Sequence, residues 1–120
     1  MSPPELTQIA ERWMDAFNRH DLVGLLALYH SEAEHYSPKL KLRRPETHGY
    51  IKGKGALRLW WQDAFDRLPT LNYRLIQLTP FENRVWMEYL RQVQGEEDLQ
   101  VAELLVVRDG LIVSSRVYQG

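Results

Sequence analysis

Between Trp13 and Pro38 the chain reads WMDAFNRHDLVGLLALYHSEAEHYSP: the end of a long helical stripe, a polar break at NRHD, a short apolar helix and a strand. No other segment constrains the fold as much. Two helices joined by a tight break and followed at once by a strand put a helical cover over one end of a sheet. Such a cover leaves room for a hollow beneath it.

The flanking sequence extends this reading. Ser2-Pro3-Pro4-Glu5 is a helix start, because Ser2 can cap, Pro3 needs no amide donor there, and Glu5 lies three residues past the cap. Leu6, Ile9, Ala10, Trp13 and Phe17 recur at helical spacing, with Glu11, Asp15 and Arg19 outside the stripe. This helix is predicted to stop around His20. Asp21 then caps a shorter helix carrying Leu22, Leu25, Leu26 and Tyr29 on one face. Residues 33–37 read as a short strand ended by Pro38. Residues 39–54 read as a basic loop, with a strand extension at KLKL as one option. Leu57, Trp60, Trp61, Ala64, Phe65 and Leu68 mark a third helix, and Pro69 lies just past its end.

Beyond Pro69 the pattern is antiparallel sheet, with strands predicted at 71–79, 85–93, 99–108 and 111–118. Asp109-Gly110 suits a two-residue type I′ turn, where both central residues need positive φ. VAELLVV, residues 101–107, is apolar at both parities, whereas a strand with one wet face alternates. Both faces are therefore expected to be covered, one by the helices and the other by a second copy of the chain in a homodimer.

At 120 residues the chain is expected to form one domain that buries about two thirds of its unfolded surface. A net charge of −1 argues against a nucleic-acid partner, which calls for a strongly basic face. The absence of cysteine excludes disulfides, thiolate metal sites and cysteine nucleophiles. No apolar run approaches the ~20 residues of a membrane span, and MSPPELTQIAER lacks a signal-peptide layout. A cytoplasmic protein without membrane contact is expected.

Taken together, AFNRHDLVGLLALYHSEAEHYSP, GKGALRLWWQDAF and the DG hairpin resemble the nuclear transport factor 2-like superfamily, in particular its SnoaL-like bacterial members. The resemblance covers nearly the whole chain. It implies an α+β fold, a cone-shaped, curved, mostly antiparallel sheet packed on three N-terminal helices, with a ligand pocket between them. Relatives include ketosteroid isomerases, polyketide cyclases, limonene epoxide hydrolase, dehydratases and non-enzymatic adaptors, so the fold does not choose a function. The isomerases' oxyanion tyrosine falls on Trp13, their general-base aspartate on Ser37 and their second oxyanion acid near Glu103. Only the last position keeps an acid, so the resemblance does not carry the isomerase reaction over.

Several residues are candidates for chemistry. Counting back from the Asp109-Gly110 turn sets Glu103 opposite Arg116, as a structural ion pair or as a charged pair orienting a ligand. Pairing would depress the glutamate's pKa and favour a carboxylate base. His35 shares strand parity with Ser37, which the resemblance turns toward the pocket. His35 is then either a general base working near neutral pH or a histidine satisfied at the rim. Trp13, Tyr29 and Trp60 are core aromatics that also suit a pocket wall. Tyr118 and Ser114 share parity with Arg116, and Tyr89 and Arg91 join them if their strand turns odd residues inward.

Other chemistries find less footing. The histidines lack metal-ligand spacing, the glycines match no P-loop and no G-x-S-x-G elbow occurs, so no metal or cofactor is expected. Water activation of the epoxide-hydrolase kind needs a second carboxylate, supplied by Glu88 only if even residues of its strand face inward. The basic residues of the 39–54 segment form either a solvated loop or a mouth that draws anionic ligands. The expected ligand is a small hydrophobic or aromatic molecule, held for acid–base chemistry such as isomerisation, cyclisation, dehydration or epoxide opening. The alternative is a non-catalytic dimeric binding or adaptor domain.

Overall fold

The computed structural model describes residues 1–119. It contains four α-helices, α1 (Pro3–Asn18), α2 (Leu22–Ala27), α3 (Pro38–Arg43) and α4 (Lys54–Arg67). Six strands complete it: β1 (Tyr29–Tyr36), β2 (Tyr50–Lys52), β3 (Asn72–Phe81), β4 (Arg84–Gln92), β5 (Leu99–Arg108) and β6 (Leu111–Gln119). They form one curved open sheet in the order β2-β1-β6-β5-β4-β3, antiparallel throughout except for the parallel β1–β6 pair. Among the described residues no helix is long and apolar enough to cross a membrane.

α1 starts as its sequence dictates. The Ser2 hydroxyl accepts from the Glu5 amide at 3.3 Å, and the Glu5 carboxylate accepts from the Ser2 amide at 3.1 Å. Its apolar stripe, from Leu6 to Phe17, is buried against the sheet. Asn18, at the helix end, pairs with edge strand β3 as a backbone unit would. Its Nδ2 donates to the Tyr73 carbonyl at 2.8 Å, and its Oδ1 accepts from the Tyr73 amide at 2.7 Å. The NRHD break is thus a dock as well as a turn: His20, at φ 53°, places Nε2 2.7 Å from the Leu71 carbonyl.

The basic segment differs from its expected loop. Ser37-Pro38 starts a helix, with the Ser37 hydroxyl accepting from the Lys39 amide at 3.2 Å and Pro38 in the first turn. KLKL is therefore helical, anchored by fully buried Leu40, and a 3₁₀ turn (Pro45–Thr47) leads into β2. The cover holds four helices rather than three. Tyr29 opens β1 instead of closing α2.

The β5–β6 hairpin has the expected turn but a different register. Asp109 and Gly110 both have positive φ (54° and 79°), and Arg108 faces Leu111. Val107 then pairs with Ile112, but Val106 pairs with Ser114, so Val113 is an extra residue in β6. From there on Glu103 faces Val117, and Arg116 faces Leu104 on the other side of the sheet. The bulge lies where β6 meets β1: the Ile112 amide donates to the Leu28 carbonyl at 2.8 Å. The expected Glu103–Arg116 pair does not form.

Candidate functional site

A cavity of about 230 Å³ lies between the helices and the inner face of the sheet. Helical periodicity supplies its roof, with Trp13 and Phe17 from α1 and Trp60 and Trp61 from α4. Its floor comes from alternate strand residues, which share one face. Val85, Met87, Tyr89 and Arg91 are buried on β4, and Val101, Glu103, Leu105 and Val107 on β5, so odd-numbered residues turn inward. Tyr89, Arg91, Val101 and Glu103 are the members of that row that reach the cavity, joined on β6 by Val117 and Gln119. Four aromatic rings stack through the interior: Trp13 on Phe17 at 5.1 Å, Phe17 on Tyr73 at 4.1 Å and Tyr73 on Tyr89 at 4.1 Å.

Glu103 ends that stack. It is only 2 % exposed. Its Oε1 accepts from the Tyr89 hydroxyl at 2.8 Å, and its Oε2 is the one buried side-chain oxygen or nitrogen without a partner among the described residues. Burial raises the Glu103 pKa to about 7, against the lowering effect of the Tyr89 bond. This corrects the depressed value expected of an arginine pair. Oε1 already accepts from Tyr89, so the protonated form carries its O–H on Oε2, and near neutral pH the protonated and ionised forms are both populated. Burial first, and then the charge of Glu103, push the Tyr89 hydroxyl well above its ordinary range and keep it a donor.

His35, also 2 % exposed, belongs to a second cluster. Trp13 Nε1 donates to the Tyr29 hydroxyl at 2.9 Å, the Tyr29 hydroxyl donates to Ser115 Oγ at 3.0 Å, and Ser115 Oγ lies 2.7 Å from His35 Nδ1. Indole can only donate, so the Tyr29 hydroxyl is its acceptor. Which of Ser115 Oγ and His35 Nδ1 donates depends on the imidazole tautomer. Burial lowers the His35 pKa to about 4. The ring is therefore neutral at physiological pH, where the sequence suggested exchange near neutrality.

The other expected site residues divide between the two faces. Trp13, Ser37 and Trp60 line the cavity with His35 and Glu103. Tyr29 sits behind the wall as a link in the relay. Arg116 and Tyr118 lie on the outer face: the Arg116 guanidinium stacks 4.3 Å above the Tyr36 ring, and Tyr118, 43 % exposed, packs 5.4 Å from Trp86. The Val113 bulge is the physical reason, since it reverses which β6 residues face inward. Glu88, of even parity on β4, is likewise outside, so the two-carboxylate arrangement for water activation is not assembled. Sequence reasoning passed over Ser115, which the same bulge brings inside, and Tyr73, whose strand carries a bulge of its own at Ile76. No group of three or more metal-ligating side chains is arranged around a common point among the described residues.

A curved six-stranded open sheet under an N-terminal helical cover defines the cystatin-like, or nuclear transport factor 2-like, class of α+β folds. Within that class the assignment is firmer: residues 10–115 match the SnoaL-like domain family, and the chain belongs to it. A SnoaL-like protein of unknown function from Burkholderia thailandensis superposes with a TM-score of 0.88 at 21% identity, covering 100% of this chain and 98% of that one. A cystatin-like protein of unknown function from Methylobium petroleophilum gives 0.83 at 19% identity, over 100% of this chain and 78% of its own. A proposed polyketide cyclase from Sinorhizobium meliloti gives 0.80 at 13% identity, over 98% and 100%. Identities this low speak for the fold alone. No curated protein matches the sequence.

Proposed function

We propose that the cavity binds a small, largely apolar organic molecule and that Glu103 meets an oxygen of it as a proton or hydrogen-bond donor. The observation that carries this is the unpartnered Oε2 of a buried carboxyl on the cavity wall. Leaving a buried polar atom unsatisfied costs about 1–3 kcal/mol, and a ligand oxygen would recover it. His35 lines the same space and is a second donor in the tautomer that carries its proton on Nε2. Two neutral donors in an aromatic enclosure polarise a carbonyl, and the reaction class they support is acid-assisted rearrangement such as isomerisation, cyclisation or dehydration. One fold neighbour is named for polyketides, which are small organic molecules.

The outer face carries Trp86, Leu104, Val106 and Tyr118, and in this reading a second copy of the chain covers them. A Leu104→Glu variant is then monomeric by analytical ultracentrifugation where the parent chain is a dimer. A cytoplasmic setting fits a chain without cysteine.

Calorimetric titration with aryl ketones such as acetophenone tests the site. Glu103→Leu is expected to weaken binding about tenfold. Glu103→Gln, which keeps an N–H donor, retains part of it. Equal binding by Glu103→Leu removes the role given to the carboxyl. Absence of binding across the ketone series supports the competing reading, a non-catalytic association domain.

A further inference from the structure

Charge is spread unevenly along the cavity, and the excess sits at its mouth. Lys39, Arg43, Arg67 and Arg91 border it, and the carboxylates beside them are Asp63 and Glu96. Asp63 is already shared, 2.8 Å from Arg67 and 3.9 Å from Arg43. Arg91 is only 7 % exposed, yet its single ion pair runs from Nη1 to Glu96 Oε1 at 2.9 Å. A guanidinium has five N–H donors in a fork that matches a carboxylate, so most of this one's capacity is unused. Glu96 is half-exposed in the turn between β4 and β5, which makes it a counter-ion that another carboxylate can displace. Lys39 forms no ion pair among the described residues. Burial, and then the like charge of Arg91, make its ammonium easier to deprotonate, so an added anion would be welcome there. The mouth is apolar as well as basic, since Leu42, 79 % exposed on α3, forms part of its rim.

On the reading that the cavity takes a small organic molecule, we infer that this molecule is an amphiphilic anion: a ring-containing apolar body among the interior aromatics, and a carboxylate at the mouth between Lys39 and Arg91. The cavity lies below the roughly 300–1,000 Å³ of drug-sized sites, which limits the body to about two rings. Excess cationic charge at an entrance also speeds the arrival of anions and weakens with salt.

Cinnamate and cinnamamide share shape and differ in charge, so calorimetry with the pair tests the inference. Cinnamate is expected to bind at least about tenfold more tightly at low salt and to lose that margin as salt rises. Lys39→Gln, at a half-buried position with no ion pair to break, should cost cinnamate about five- to tenfold and leave the amide unchanged. Glu96→Gln should strengthen cinnamate binding by removing its competitor. Equal affinities for acid and amide overturn the inference while leaving the binding cavity in place. If neither compound binds, the cavity reading falls and takes the inference with it.

Discussion

Two buried polar clusters share the cavity wall, and they are built on opposite plans. In the His35 cluster each hydrogen-bonding atom behind the ring has a partner: Trp13 gives to Tyr29, Tyr29 gives to Ser115, and Ser115 is bonded to His35. In the Glu103 cluster Tyr89 satisfies one carboxyl oxygen and nothing satisfies the other. A closed network fixes a side chain, whereas an open one leaves a valence to spend. The difference separates a residue that is held from a residue that is held ready. The pKa values follow the same division, because burial favours the neutral form of both groups and so moves base and acid in opposite directions.

The largest expected effect tests whether Glu103 is protonated. Its folded pKa of about 7 exceeds the reference 4.5, so its contribution to stability is fully present below about pH 4.5 and is lost as pH rises through 7. Relative to Glu103→Gln, the parent chain should lose about 3 kcal/mol between roughly pH 4 and pH 8, measured by urea unfolding. A gap that stays flat with pH would show that the carboxyl titrates in the folded protein as it does in the unfolded chain. His35 acts in the reverse sense. Its folded pKa of about 4 lies below the reference 6.5, so its contribution is complete above 6.5 and is lost as pH falls toward 4. The Gln variant, freed of the opposing term, should therefore gain stability up to about pH 6.5 and then level off.

The closed cluster is tested next. Tyr29→Phe strands the Trp13 N–H and removes a donor from Ser115, and we expect a loss of about 2 kcal/mol in urea unfolding at neutral pH. A loss under about 0.5 kcal/mol would mean the relay holds nothing in place. Smallest of all, Arg116→Ala removes an exposed guanidinium from above Tyr36, at a cost of about 0.5–1 kcal/mol. Ligand affinity should not change. A change would bring the outer face into the site and blur the contrast between the two clusters.

Much of this molecule was legible in its residues, and the omissions have physical causes. The capping box at Ser2 and the positive-φ turn at Asp109-Gly110 are local devices, and both formed as read. The Ser-Pro pair at Ser37 carries the same kind of helix-start signal as Ser2-Pro3. Six residues are too few to display a helical period, however, and the alternating KLKL imitates a strand. Glu103 was identifiable as the charged residue of an apolar strand, and His35 by its shared strand parity with Ser37. Their protonation was not, because it depends on how deeply other elements bury them. Neither the Ser115 hub nor the outward turn of Arg116 and Tyr118 follows from local pattern. Val113 is an ordinary strand residue, and what makes it a bulge is the arrival of β1 alongside β6.

That extra residue also sets how this wall can change over generations. Were Val113 taken into the ladder opposite Val106, with no residue lost, a guanidinium and a phenol would turn into the hollow and the serine hub would turn out to solvent. Point substitutions edit such a site one group at a time. Whether one residue beside Ile112 pairs or bulges decides a whole wall at a stroke.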